Sequence, residues 1–190
     1  MKRIIIFASG SGTNAENLIT FFSNRDDASV VQVLTNNAQA KVIERCKKLN
    51  VSVLSFNKDD FLQSNHILNI LKTSRTDLIV LAGFIWKFPE FIMKEFPNKV
   101  INIHPALLPK YGGKGMYGKR VHEAVIQNNE NETGITIHYV NENYDEGAII
   151  FQTKCDVNKT DTANDIAAKI HKLEMEYFPK VVEKLLLPKE

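Results

Sequence analysis

In the segment KVINIHPALLPKYGG, residues 99–113, Asn102 and His104 stand two positions apart on an apolar, β-branched run. Alternate side chains of an extended chain point the same way, so an amide and an imidazole share one face of a strand. Pro105 biases His104 toward extended backbone and cannot continue a hydrogen-bonded ladder, which puts the pair at the strand's carboxyl end. Open α/β sheets bind their ligands at that edge. The amide supplies an N–H for a developing oxyanion, and the imidazole moves a proton. A carboxylate close by would raise the imidazole pKa and fix its orientation. The loop NENYDEG, residues 141–147, offers Glu142, Asp145 and Glu146. On residue type alone the three acids are equivalent.

A second constellation opens the chain. ASGSGTNAENL, residues 8–18, follows an apolar run and leads into a helical pattern. Backbone N–H groups and a helix dipole at such a junction hold a phosphate. Gly10 and Gly12 permit close approach, and Ser11, Thr13 and Asn14 add donors. The spacing also fits the G-x-G-x-x-A form of a dinucleotide fingerprint. A dinucleotide fold needs an acidic residue at the end of its second strand to hold the ribose, and here that run ends in Thr35, Asn36 and Asn37. A phosphate monoester is therefore the better ligand. The plain structural alternative is a tight strand-to-helix turn capped by Thr13 or Asn14.

The elements that must position these groups are legible as apolar runs at 2–8, 29–35, 51–56, 77–83 and 99–104, separated by helix-like segments. Strands alternating with helices imply βαβ units and a parallel sheet. The unbroken hydrophobicity of IIIF and LIVLA indicates strands covered on both faces. Beyond residue 118 a helix near 119–128 precedes GITIHYV and GAIIFQTKCDV, an antiparallel pair joined by NENYDE. A long final helix is expected from about Asp161, where DTANDI supplies a cap and an acidic first turn. The fold class is α/β: one doubly wound, mostly parallel Rossmann-like sheet with an antiparallel C-terminal strand pair and a long C-terminal helix.

Composition narrows the function classes. The chain has 190 residues, 44% hydrophobic, with a formal net charge of +2. That is enough apolar material for one core and too little charge to select nucleic acid or a membrane surface. The N-terminal apolar run is too short for a signal h-region or a membrane span. Cys46 and Cys155 form no C-x-x-C pair, and His66, His104, His122, His138 and His171 show no ligand spacing, so no metal is expected. No nucleophile elbow is present either, which favours direct attack by a substrate nucleophile.

Taken together, SGSGTN near the start, LAGF at 81–84, INIHPALLPKYGG at 101–113 and TGITIHYV…YDEGAIIFQ resemble the phosphoribosylglycinamide formyltransferase family of the formyltransferase superfamily, from about residue 3 to about residue 180. The resemblance implies formyl transfer from 10-formyltetrahydrofolate to the amine of 5-phosphoribosylglycinamide, a step of de novo purine synthesis, by direct amine attack through a tetrahedral intermediate. It implies that Asn102 steadies the oxyanion, His104 serves as general acid toward the departing folate nitrogen, and Asp145 orients His104. It assigns Gly12, Thr13 and Asn14 to the phosphate and Glu174 to the ribose hydroxyls. Folate is expected against Lys58, Ile85, Trp86, Lys87, Phe88, Asn102, Asn141, Glu142, Asn143, Tyr144 and Asp145. It implies a single domain over 1–190, with a phosphoribosyl-binding half at 1–100 and a catalytic and folate-binding half at 101–190. The protein would be cytoplasmic, a monomer or homodimer, with no metal, nucleic acid or membrane partner. A formyltetrahydrofolate hydrolase or another formyltransferase is the alternative within the superfamily. A nucleotide-binding module without catalysis is the alternative outside it. GFIWKFPEF and KYGGKGMYGKRVHEA are the two stretches that depart from the family's usual pattern.

Overall fold

The computed structural model describes residues 1–188, so the last two residues of the expected 1–190 domain lie outside the described residues. Seven strands form one sheet in the order β3-β2-β1-β4-β5-β6-β7. Strands β1 (Lys2–Phe7), β2 (Ala28–Thr35), β3 (Ser52–Ser55), β4 (Leu78–Leu81) and β5 (Val100–His104) pair in parallel. Strands β6 (Glu132–Tyr139) and β7 (Ile149–Asp156) add on antiparallel. The strand expectations hold to within about two residues at either end, the usual scatter of element boundaries.

The unbroken apolar runs have a simple cause. Along β1 and β4, Ile4, Ile6, Leu78 and Val80 enter one core while Ile5, Phe7, Ile79 and Leu81 enter the other. Neither face meets water, so alternation has no polar half to display. Each fully buried side chain of this size contributes about 1.5–3 kcal/mol by leaving water. The first core is closed by α1 (Thr13–Phe22), α2 (Val42–Lys48), α6 (Lys119–Gln127) and α7 (Ala163–Leu186). The second is closed by α3 (Lys58–Leu62), α4 (His66–Thr73) and α5 (Glu90–Glu95).

The final helix begins one residue later than Asp161 would suggest. Thr162 is the cap: its hydroxyl accepts the Asp165 N–H, and the Asp165 carboxylate returns to the Thr162 N–H. Asp161 instead receives the Asn158 N–H and pairs with Lys169. Over its 24 residues α7 carries Glu174, which lines the same cavity as Asn102 and His104 of β5. Among the described residues, no helix is long and apolar enough to cross a membrane.

Candidate active site

The centre of the site is the end of β5, built by its pairing with β6. Asn102 lies directly opposite His138, and His104 opposite Thr136. Directly opposed residues in an antiparallel pair put their side chains on one face, so His138 arrives beside Asn102. The backbone carbonyl of Tyr139 lies 2.8 Å from His138 Nδ1 and can only accept, so that nitrogen carries the proton. Nε2 is left with its lone pair and takes the Asn102 Nδ2–H at 3.1 Å. The second amide hydrogen points at Asp145 Oδ1, 3.4 Å away. That contact is long and weak, which leaves this hydrogen free to turn toward a developing oxyanion.

Asp145 sits in the middle of the cluster. Its Oδ2 accepts the Gly113 N–H at 2.9 Å and stands 3.6 Å from His104 Nδ1, while its Oδ1 is 3.6 Å from His138 Nε2. Its backbone has φ of 58°, a left-handed conformation that costs a non-glycine residue about 1–2 kcal/mol and turns the side chain inward. Glu142 and Glu146, its neighbours in the loop, are exposed. Burial works against the Asp145 charge, but a further proton on His138 or His104, when either ring carries it, and the Gly113 N–H outweigh burial and hold the carboxyl below its ordinary range. Gly112 is small for a reason: a Cβ there would lie 2.6 Å from Leu108 Cδ2 and 3.2 Å from Asp145 Cβ.

His104 is 4% exposed, and its Nε2 lies 2.7 Å from the Tyr111 carbonyl. An acceptor-only partner again fixes the tautomer, with Nε2 protonated and Nδ1, facing Asp145, as the atom that exchanges a proton. The neighbouring carboxylate, Asp145, does raise this imidazole as expected, but it does not decide the net direction. Burial lowers its pKa by more than Asp145 and the Tyr111 carbonyl raise it, so the net direction is down. The resting imidazole is neutral near pH 7.

The segment after β5 is held by one hydroxyl. Thr136 Oγ1 donates to the Ala106 carbonyl at 2.7 Å and accepts the Leu108 N–H at 3.1 Å and Gln152 Nε2 at 2.8 Å. Gln152 also donates to the Leu108 carbonyl at 3.1 Å. This network, buried at Thr136, leads the chain away from the strand end and leaves it open, and the Leu108–Pro109 peptide that follows is cis.

The glycine loop faces the same space. Gly12 caps α1 with φ of 73°, and a Cβ there would strike the Val42 side chain, so only glycine fits. No side chain caps α1; Asn14 Nδ2 instead donates to Glu174 Oε2 at 2.9 Å, across from α7. Asn14 Oδ1 is buried without a hydrogen-bond partner among the described residues. Burial pushes the Glu174 carboxyl up to about 7, with the Asn14 N–H opposing. One cavity of about 640 Å³ is lined by Gly12, Thr13, Asn14, Ile85, Asn102, His104, Tyr144, Asp145 and Glu174. A smaller one of about 60 Å³ shares Phe84, Asn102, Tyr144 and Asp145 with it and adds Trp86, Lys87, Phe88, Asn141 and Asn143.

Known proteins share both this fold and this sequence. The formyl transferase family model matches residues 2–182. The phosphoribosylglycinamide formyltransferase of Bacillus subtilis is 35% identical over 193 residues, covering 98% of this chain and 95% of that protein. The chain belongs to the phosphoribosylglycinamide formyltransferase family. A chloroplastic member from Arabidopsis thaliana is 34% identical, with 96% of this chain matching 66% of its length. The crystal structure of the Bacillus halodurans phosphoribosylglycinamide formyltransferase superposes with a TM-score of 0.87 at 33% identity, over 100% of this chain and 97% of that one.

Within this formyltransferase fold, most of the expected site residues meet at the two cavities. Ile85 is 47% exposed at the mouth of the larger. Trp86 divides its ring between the smaller cavity and the aromatic cluster of Phe56, Phe61 and Phe84, and Phe88 is 3% exposed with its ring packed on Phe7. Lys58 and Glu142 are exposed and line neither cavity. Two histidines of the site were not singled out from sequence. His138 is found by reading ITIHYV as a strand, since Thr136 and His138 share one face. His122, on α6, is 6% exposed and lines the larger cavity with Nδ1 unpartnered among the described residues. Burial and then His104 lower its pKa.

Proposed function

We propose that this chain transfers a formyl group from N10 of 10-formyltetrahydrofolate to the amine of 5-phosphoribosylglycinamide by direct attack, with Asn102, His104 and Asp145 as the reacting cluster. One observation carries the reading: the amide, imidazole and carboxylate of that cluster open onto the same cavity as the phosphate-type loop. In this reading Gly12, Thr13 and Asn14 hold the phosphate at the start of α1, and Glu174 meets the ribose hydroxyls. That places the amine of an extended phosphoribosylglycinamide toward the end of β5. The donor's flat ring lies between Ile85–Phe88 and the 141–145 loop, where apolar walls and backbone groups suit a heteroaromatic ring.

The chemistry balances on one imidazole. The amine nitrogen forms a bond to the formyl carbon, and the carbonyl oxygen becomes an oxyanion that takes the mobile Asn102 N–H. Neutral His104 accepts at Nδ1 the proton released by the attacking nitrogen, with the Asp145 charge stabilising the imidazolium. When the bond from carbon to N10 breaks, that proton passes to N10 and the carbonyl re-forms. The Asp145 charge supports the accepting half of this cycle, and the burial that lowers the His104 pKa keeps the resting ring neutral and makes its imidazolium the readier donor to N10. The whole chain acts as one domain in the cytoplasm, with residues 1–100 contributing the phosphoribosyl site and 101–190 the catalytic cluster.

The test is turnover of 10-formyl-5,8-dideazafolate, followed spectroscopically with and without phosphoribosylglycinamide. Amine-dependent deformylation is expected. Equal turnover without the amine would replace the transferase with a hydrolase, and no turnover would remove the proposal.

A further inference from the structure

We propose that Glu130, a carboxylate on the turn between α6 and β6, is a positioning residue for the reaction and acts on His104 through Tyr111. Four contacts make the chain. Tyr111 Oη donates to Glu130 Oε1 at 2.9 Å. Lys110 Nζ pairs with the same carboxylate at 2.9 and 3.2 Å. The Tyr111 carbonyl accepts the Nε2–H of His104 at 2.7 Å. Two residues on, the Gly113 N–H binds Asp145 Oδ2 at 2.9 Å. The short stretch 110–113 therefore touches both His104 and Asp145, and its outer tether is Glu130.

Tyr111 has φ of 58°, in the left-handed region that a bulky side chain avoids. A residue held there needs surroundings that over-determine it, and the phenol-to-carboxylate bond supplies them. Glu130 is itself fixed, because its backbone N–H closes on the Val125 carbonyl at 3.2 Å at the end of α6. Lys110 and then Tyr111 hold the Glu130 carboxyl below its ordinary range, while burial and then Glu130 push the Tyr111 phenol up to about 12. Near pH 7 the phenol is thus a donor and the carboxylate a charged acceptor, the stronger kind of hydrogen bond. If the tether is cut, Tyr111 relaxes out of its strained conformation and its peptide turns. The carbonyl then leaves His104 Nε2, and the imidazole loses both the partner that sets its tautomer and a contact that favours its charged form.

This inference rests on the reading of His104 as the proton-transferring group, and the test separates the two. In the unliganded protein, 15N shifts of the His104 ring are followed against pH in wild type, Tyr111→Phe and Glu130→Ala, with His104→Gln used to assign the signals. The Nε2–H tautomer is expected in wild type. Both variants should show mixed tautomers and a lower His104 pKa, with circular dichroism unchanged. In the amine-dependent assay, each variant should lose between about tenfold and a hundredfold in kcat. KM for phosphoribosylglycinamide should stay within about twofold, because the tether lies away from the glycine loop. The double variant should fall no lower than the singles, as members of one chain do not add. Wild-type tautomer and pKa in both variants would overturn the tether. A wild-type enzyme without amine-dependent turnover would overturn the functional reading and leave the ring titration to decide the tether.

Discussion

Replacing Glu174 by Gln should stabilise the protein, and only at neutral to alkaline pH. The Glu174 side chain is 14% exposed, His171 Nδ1 stands 3.9 Å from it, and among the described residues its close hydrogen-bond partner is the Asn14 amide at 2.9 Å. Burial, opposed by Asn14, carries its pKa from the ordinary 4.5 to about 7. A folded-state pKa above the unfolded one means that the protonated acid favours the fold. Its contribution is complete below pH 4.5 and is lost as pH rises through 7. The full gap corresponds to on the order of 3 kcal/mol, and the open cavity beside the carboxyl reduces it toward roughly 1 kcal/mol. Glutamine keeps an oxygen for the Asn14 N–H and never ionises. Urea unfolding at pH 4, 6 and 8 should therefore give equal stabilities at pH 4 and an advantage of about 1–3 kcal/mol for the Glu174→Gln variant at pH 8. In a thermal melt that is a rise of roughly 2–10 °C for a chain of this size. An advantage that does not vary with pH, or a less stable variant at pH 8, would refute the reasoning. Affinity for phosphoribosylglycinamide should fall in the same variant, a residue that costs stability being kept for binding.

Other substitutions probe the supports of the site. Thr136→Val removes the acceptor of two N–H groups and the donor to the Ala106 carbonyl, in a buried place, and should cost about 2–4 kcal/mol in urea unfolding. Gly112→Ala drives a methyl group against Leu108 and Asp145, so turnover should fall at least about tenfold for a stability loss of about 1–3 kcal/mol; unchanged turnover would show that Asp145 is not held by that contact. Asp145→Asn removes the charge that supports imidazolium at His104, so kcat should fall about a hundredfold or more, with binding of the phosphoribosyl substrate retained by equilibrium titration.

How much of this was legible in the sequence follows from where each contact comes from. Asn102 and His104 are two residues apart with a proline behind them, so their shared face and strand-end position are local facts. The buried runs of β1 and β4 were readable because both faces enter a core. Asp145 was one of three equivalent acids on residue type; what distinguishes it is a left-handed backbone and the Gly113 N–H, neither visible in composition. Glu174 meets Asn14 across 160 residues, and only the family resemblance pointed to it. His138 depended on the register between β5 and β6, a long-range pairing. The net direction of the His104 pKa was not legible because burial depends on the packing around the ring, and that outweighs one neighbouring carboxylate.

The most direct measurement follows the formyl carbon itself. With 13C-formyl donor, phosphoribosylglycinamide and an excess of unlabelled formate, NMR should show the label passing wholly to the formylated amine, with no labelled formate released. His104→Ala and Asp145→Ala should slow that transfer without changing its destination. Label appearing as free formate, or dilution of the product by the unlabelled pool, would contradict direct attack by the amine at the end of β5.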